Sequence, residues 1–185
     1  MASQQERMRN LKAAIKKLDA KDVTTLAIDL CGLSSDAMDF AEARLGEGNE
    51  GLQSFKERIE TALYPDPERR QTLEIGEARR AISEYSKAVG DEVGLLELMI
   101  HYVECGTEFT ANVGDINAKF YDSMLTMYER FLKKLEKSSP AIKESFRERA
   151  YGVVSLAGYT GWGYQEGLLD LYDQAFPDED THLES

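Results

Sequence analysis

The hydrophobic residues of this 185-residue chain recur mainly at spacings of three and four, which is the period of an amphipathic helix. In the first such segment, roughly 4–18, Met8, Leu11 and Ile15 follow this spacing. No convincing run of alternating or β-branched residues predicts a strand. The pattern therefore predicts an all-α fold.

Turn and capping residues divide the first half of the chain into four predicted helices. The phrase LDAKD ends the first helix, and apolar residues from Val23 to Leu30 line the second. Ser34 or Ser35 is the expected N-cap of the third. GEGNEG at 46–51 predicts a loop, and a fourth helix from Leu52 to Leu63 ends at YPDP, whose prolines cannot continue it.

Similar signals divide the second half into five further predicted helices. The first is TLEIGEARRAISEYSKAV with Gly90 as its C-cap. The next three have Asp91, Asp115 and Ser139 as expected N-caps and reach about Thr110, Lys137 and about Ala157, and the last runs from Tyr164 to Phe176. We therefore expect eight or nine helices in one domain, residues 1–176, forming an irregular bundle or a curved array of helical hairpins. The acidic tail, 177–185, is expected to be disordered.

The net charge is −12 and is unevenly distributed. Residues 91–118 hold six acids and no lysine or arginine, and Arg149 is the only basic residue after 148. Such a chain should repel nucleic acid and anionic lipid. It has no apolar run long enough to cross a membrane and no signal segment, and Cys31 and Cys105 are too few for a disulfide framework. These features predict a cytoplasmic protein.

A resemblance to a known family rests on four phrases: LKAAIKKLDAKDVTTLAIDL, ARRAISEYSKAV, LELMIHYVECGTEFTANVGDINAKFYDSMLTMYERFL and GWGY. Together they resemble a bacterial helical family, the domain of unknown function catalogued as 6155. The third phrase is the most specific, whereas residues 46–70 and the tail contribute nothing. The resemblance implies an all-helical bacterial protein and carries no activity, cofactor or site residue.

The best chemical candidate is ELMIHYVECGTEF, in which Glu97, His101, Glu104 and Glu108 fall within about 60° of one another on a helix. Such a stripe can bind a divalent metal or act as an acid/base set. The apolar residues of this segment centre on the opposite side, so we expect the stripe to be a solvated acidic face. Together with Asp115, it is a candidate surface for a partner with a basic surface.

Cys105 follows His101 by four residues, so the two are predicted to be neighbours on the helix. A Cys–His pair can form a thiolate nucleophile, but the nearby carboxylates should raise the thiol pKa. We expect an inert cysteine and assign no catalytic residue, metal ligand or cofactor.

The phrase GYTGWGYQEG contains the only tryptophan, Trp162. Its glycine spacing differs from that of a dinucleotide-binding loop, and no strand precedes it. Gly158 or Gly161 is expected to end a helix in the left-handed conformation, with Trp162 buried against that helix. The alternative is an aromatic recognition pocket formed with Tyr159 and Tyr164.

The leading hypothesis is a non-catalytic protein-interaction module, a regulator or adaptor, whose acidic surface binds a basic partner. One alternative is an inhibitor or antitoxin-like protein that mimics nucleic acid. Another is a metal-dependent enzyme that uses His101 with Glu97, Glu104 and possibly Asp122. The basic pairs along the chain lie among acids and lack interleaved aromatics, so no direct nucleic-acid binding is predicted; these pairs are Lys16-Lys17, Arg69-Arg70, Arg79-Arg80 and Lys133-Lys134.

Overall fold

The computed structural model describes residues 3–45, 50–65 and 72–177. Within these ranges it contains only helices and connections, which confirms the all-α prediction. The helices are α1 (Gln4–Ile15), α2 (Ala20–Leu33), α3 (Ser35–Leu45), α4 (Glu50–Leu63), α5 (Ile75–Ala88), α6 (Glu92–Val113), α7 (Ala118–Leu135), α8 (Pro140–Leu156) and α9 (Tyr164–Ala175). A short 3₁₀ turn, Ala157–Tyr159, follows α8. Of the described helices, none is long and apolar enough to cross a membrane.

Two predictions fall partly or wholly on residues that the structure does not describe. The predicted loop at 46–51 lies outside the described residues for 46–49, and its last two positions already belong to α4. The predicted tail lies outside the described residues from 178 onward.

Several predicted helix ends are confirmed because they depend on local hydrogen bonds. The Asp91 carboxylate accepts a hydrogen bond of 2.6 Å from the backbone N–H of Gly94 and caps α6. The Ser139 hydroxyl accepts one from the N–H of Ile142, with Pro140 as the first residue of α8. The predicted C-cap of α5, Gly90, is wrong by one residue: Val89 is the C-cap, and Gly90 follows it with φ +67°.

The predicted N-cap of α7, Asp115, is wrong. Asn117 occupies that position, where its side-chain oxygen accepts a hydrogen bond of 3.1 Å from the N–H of Phe120. The Asp115 carboxylate instead accepts hydrogen bonds from the Tyr121 hydroxyl at 2.6 Å and from the backbone N–H of Gly161 at 3.0 Å. The physical reason is a tertiary contact with the α8–α9 corner, which no local pattern reveals.

Helix α6 lies at the centre of the fold and packs against α4, α5, α7 and α8. Its apolar side chains are buried on several sides, and they are Leu96, Leu98, Met99, Ile100, Tyr102, Val103, Cys105 and Phe109. Gly106 lets α7 approach closely, because a Cβ there would collide with the sulfur of Met124. Met124 and Met127 are buried in the core, as their helical spacing predicts.

The N-terminal helices contribute little to the core. Neither α1 nor α2 has a buried side chain, and Met8 and Leu11 of the predicted apolar stripe are exposed. Helix α2 packs against α3, which in turn packs against α4 and α5.

Arg58 of α4 joins three helices through one guanidinium. It lies 2.6 Å from Glu77 and 2.9 Å from Glu84 of α5, and 3.6 Å and 3.8 Å from Asp36 and Asp39 of α3. Because the Arg58 side chain is largely shielded from water, these pairs are screened less than surface pairs are.

The α8–α9 corner differs from its prediction. The Trp162 side chain is 66% exposed rather than buried against α8. The left-handed residues are Trp162 itself, with φ +64°, and Gly163, with φ +67°, rather than Gly158 or Gly161. Tyr164 is fully buried instead, and its hydroxyl lies 2.7 Å from that of Thr107 on α6. The corner is therefore held by Tyr164, while Trp162 points outward.

We predict that Trp162→Ala changes the free energy of unfolding by less than about 0.5 kcal/mol, because an exposed side chain loses little packing. Trp162→Gly should be more stable than Trp162→Ala by about 1 kcal/mol, since glycine adopts positive φ without steric strain. Tyr164→Ala should cost about 4 kcal/mol, as expected for a buried aromatic. Urea unfolding followed by far-ultraviolet circular dichroism checks all three. Equal losses in Trp162→Ala and Tyr164→Ala would contradict this account.

Candidate functional site

A cleft of about 1110 Å³ opens between α4, α6 and α8. It is a mixed surface of carboxylates, one guanidinium and apolar side chains. Its lining residues are Glu60, Thr61 and Tyr64 at the end of α4, His101, Glu104, Cys105 and Glu108 on α6, and Glu148, Arg149, Gly152, Val153 and Leu156 on α8. The cleft therefore brings together three of the predicted site residues: His101, Glu104 and Glu108.

Arg149 of α8 clamps two glutamates of α6. Its guanidinium donates hydrogen bonds of 2.9 and 2.7 Å to the two oxygens of Glu104, and of 2.8 Å to each oxygen of Glu97. Lys56 of α4 adds a third contact, 2.9 Å from its Nζ to a Glu97 oxygen. Paired geometry of this kind is the strongest form of the arginine–carboxylate contact.

The prediction of a solvated acidic face is wrong for these two glutamates. The side chains of Glu97 and Glu104 are only 24% and 29% exposed, and their charges are neutralised. The physical reason is that α4 and α8 cover the stripe and contribute Lys56 and Arg149 to it. Glu108, in contrast, is exposed, as predicted.

The cluster of Arg149, Glu97, Glu104 and Lys56, which we call the clamp, changes the pKa values of its arginine and its two glutamates. Burial by itself would raise the pKa of Glu104, but the nearby His101 and the hydrogen bonds from Arg149 outweigh burial and lower the pKa to about 2. Burial opposes the shift at Glu97 as well, where hydrogen bonds from Arg149 and Lys56 lower the pKa below its ordinary value. Glu104 and Glu97 in turn raise the pKa of Arg149, with the hydrogen bonds to Glu104 as the largest cause. All three groups are therefore charged at neutral pH.

His101 faces the cleft and lies among acidic groups. Its Nε2 is 3.1 Å from a Glu60 oxygen, its Nδ1 is 3.8 Å from Glu104, and the Cys105 sulfur is 3.5 Å from Nε2. Burial, and then the charges of Glu60, Glu104 and Glu108, raise the pKa of Cys105 to about 12. The predicted contact between Cys105 and His101 and the predicted rise in the thiol pKa are both confirmed. Cys105 is therefore a neutral thiol at physiological pH.

Within the described ranges, no group of three or more His, Cys, Asp or Glu side chains is arranged to hold a metal ion. The carboxylates of Glu97 and Glu104, which the metal-dependent hypothesis uses, are bound to Arg149. Asp122, its further candidate, lies exposed on α7 and does not line the cleft.

The two remaining predicted residues, Asp115 and Trp162, lie at the α8–α9 corner and do not line the cleft. The hydrogen bond from Tyr121, together with the one from the N–H of Gly161, lowers the pKa of Asp115. Asp115 thus fastens the α6–α7 connection to the corner. Trp162 is next to Gly161 and exposed, so it is a surface aromatic outside the cleft.

The cleft walls that α4 and α8 contribute could not be predicted from the sequence. Arg149, Gly152, Val153 and Leu156 recur at the spacing of one helix face, which is a signal that a shared face exists. That spacing does not show which neighbouring helix the face meets.

The comparisons with known proteins leave the geometry as the basis for function. No protein-family model, curated protein or solved structure matches this chain. The resemblance to the 6155 family therefore stays a prediction drawn from the four phrases. The fold and the site define a helical protein with an acidic and partly apolar cleft.

We predict that Arg149→Met lowers the free energy of unfolding by about 2 kcal/mol, because it leaves Glu97 and Glu104 without their main partner. The matched control is Arg80→Met, which removes an exposed arginine that pairs with Glu77 at 2.7 Å. The control should change stability by less than about 0.5 kcal/mol. Chemical denaturation of both variants checks the difference, and a loss in Arg149→Met no larger than the control's would refute the clamp.

A second prediction concerns pH. Because folding lowers the pKa of Glu104 to about 2, its contribution to stability is complete above the unfolded pKa, near 4.5, and is lost as pH falls through about 2. The parent should therefore lose about 3 kcal/mol more than Glu104→Gln between these limits, since the variant cannot titrate at this position. Urea unfolding across this pH range measures the difference. Parallel pH profiles for the two proteins would contradict the assignment.

Proposed function

We propose that this protein is a non-catalytic interaction module, a regulator or adaptor, which binds a basic segment of a partner protein in the cleft between α4, α6 and α8. The observation that carries the proposal is the charge of the cleft. Glu60, Glu108 and Glu148 line it and are exposed, and within the described residues none of them pairs with lysine or arginine. Arg149 is already satisfied by Glu97 and Glu104, so the cleft keeps a negative surplus.

The shape of the cleft strengthens the negative electrostatic potential that this surplus creates. Carboxylates around a concave site with apolar walls focus the negative potential toward its interior. The net charge of −12 adds a long-range attraction for cations. We therefore expect charge complementarity to speed the encounter with a basic partner and to fix its orientation.

Apolar side chains in the cleft define the second requirement on the partner. Tyr64 and Leu156 are each 39% exposed and stand at the rim beside the carboxylates. A segment that carries only lysines would leave these surfaces in water. The cleft suits a segment that combines lysine or arginine with a leucine, isoleucine or aromatic side chain, since buried apolar contacts contribute much of the affinity of such interfaces.

The geometry favours this function over the two alternatives from the sequence. A nucleic-acid mimic needs a row of exposed negative charges, whereas Glu97 and Glu104 are neutralised by Arg149. A metal-dependent enzyme would use Glu97 and Glu104 as ligands beside His101, whereas both carboxylates are bound to Arg149.

We also propose that the protein acts in the cytoplasm. Both of its cysteines, Cys31 and Cys105, are unpaired, which suits a reducing compartment.

The test is binding of a short fluorescein-labelled peptide rich in lysine, arginine and leucine, followed by anisotropy. The variant Glu60→Gln/Glu108→Gln/Glu148→Gln removes the three cleft carboxylates that have no lysine or arginine partner within the described residues, with little change in shape. It should weaken binding at least tenfold, and added salt should weaken binding to the parent.

The control for this test removes three exposed glutamates elsewhere, as Glu6→Gln/Glu136→Gln/Glu166→Gln. Both triple variants have the same net charge, so a general electrostatic effect would lower their affinities equally. Equal affinities would therefore overturn the proposed function, whereas a selective loss in the cleft variant supports it.

A further inference from the structure

A second cleft, of about 630 Å³, lies between α5, α6 and α7. Its α6 residues are Leu95 and Met99, which point roughly opposite to His101 and Glu108 on the helical wheel. Six of its lining residues are cationic and none is acidic, although the whole chain carries −12. The cations are Arg79, Lys87, Arg130, Lys133, Lys134 and Lys137.

Most of these charges have no acidic partner. Lys133 pairs with Glu129 at 2.6 Å, whereas Lys87, Arg130, Lys134 and Lys137 pair with no carboxylate within the described residues. The C-terminal ends of α5 and α7 are near, and each helix end is equivalent to about half a negative charge. Two such ends offset roughly one of the six positive charges. The cleft therefore retains a positive surplus that helix dipoles do not explain.

One side of the Arg79 guanidinium is held by a buried hydrogen-bonding pair. Its Nη2 donates a hydrogen bond of 2.8 Å to the hydroxyl of Ser123, which lies 2.5 Å from the hydroxyl of Tyr102. Ser123 and Tyr102 are both buried, so this pair fixes one side of the guanidinium and leaves the rest of its donors for another group. A donor fixed in this way loses less conformational freedom when an anion binds.

The other lining groups narrow the class of ligand. Ile82, Met99 and Met127 form a buried apolar floor, and the hydroxyls of Ser83 and Ser86 add hydrogen-bonding capacity. Among the described residues, no aromatic side chain lines this cleft, so they provide no stacking platform like that of single-strand nucleic-acid sites. Its volume is in the range of small-molecule sites.

From these observations we propose that this basic cleft binds a small polyanion, a molecule that combines several phosphate groups with an apolar or planar portion. The phosphates lie among Arg79, Arg130 and Lys134, and the other portion covers the apolar floor. The site is separate from the acidic cleft and does not depend on the function proposed for it. Because the two clefts use opposite sides of α6, both can be occupied in one molecule.

The sequence contains a signal for this site. Arg130, Lys133, Lys134 and Lys137 recur at the spacing of one helix face. Considered as adjacent pairs, such as Lys133-Lys134, these residues lie among acids, and the shared face is not evident. Only the packing of α5 against the core adds Arg79 and Lys87 to the same cleft.

The test is isothermal titration calorimetry with inorganic tripolyphosphate and with ATP at fixed ionic strength. Both should bind at one competing site, with ATP tighter because its base covers the apolar floor. Arg130→Gln/Lys134→Gln should weaken ATP binding at least tenfold, since it removes two charged donors. Lys12→Gln/Lys16→Gln on exposed α1 changes the net charge equally and should weaken binding less than twofold.

Circular dichroism verifies folding, and Lys87→Gln/Lys137→Gln serves if the first cleft variant fails to fold. No binding of either probe would overturn the proposal, as would equal weakening in the α1 control. A labelled oligothymidylate that binds the same cleft more tightly than ATP would also overturn it, in favour of nucleic acid. None of these outcomes affects the peptide-binding assay of the acidic cleft, so each proposal can fail without the other.

Discussion

The guanidinium of Arg149 joins α8 to the central helix through four hydrogen bonds of 2.7 to 2.9 Å to Glu97 and Glu104. Lys56 brings α4 to the same pair of helices through Glu97. Without these cations, two partly buried carboxylates would lie unpaired at the junction of three helices, which is energetically costly. The clamp thus sets the positions of α4 and α8, and with them both walls of the acidic cleft.

The same central helix separates the charges of the molecule. One side of α6 faces a cleft lined by exposed glutamates, and the other side faces a cleft lined by lysines and arginines. A chain with a net charge of −12 therefore carries two local surfaces whose charges have opposite sign. This separation keeps the two proposed sites, one for a basic segment and one for an anion, from neutralising each other.

Features that depend on neighbouring residues could be predicted from the sequence, and those that depend on packing could not. Asp91 and Ser139 cap helices through bonds to residues three positions away, so their roles are local. Arg149 meets Glu104 and Glu97 across 45 and 52 residues, so the pattern of α6 alone suggested a solvated face. At the α8–α9 corner, the sequence predicted that an aromatic side chain is buried against the preceding helix. Only the fold shows that the buried residue is Tyr164 and not Trp162.

The proposed function depends on binding of a basic, partly apolar segment in the cleft between α4, α6 and α8. Its most direct test is mapping of backbone amide chemical shifts by nuclear magnetic resonance while the lysine-, arginine- and leucine-rich peptide is added. We expect the largest changes at cleft residues such as Thr61, Glu108 and Gly152, with little change at Lys134 in the basic cleft. Changes confined to the corner around Asp115 and Trp162, or spread evenly over acidic residues outside the cleft, would contradict it.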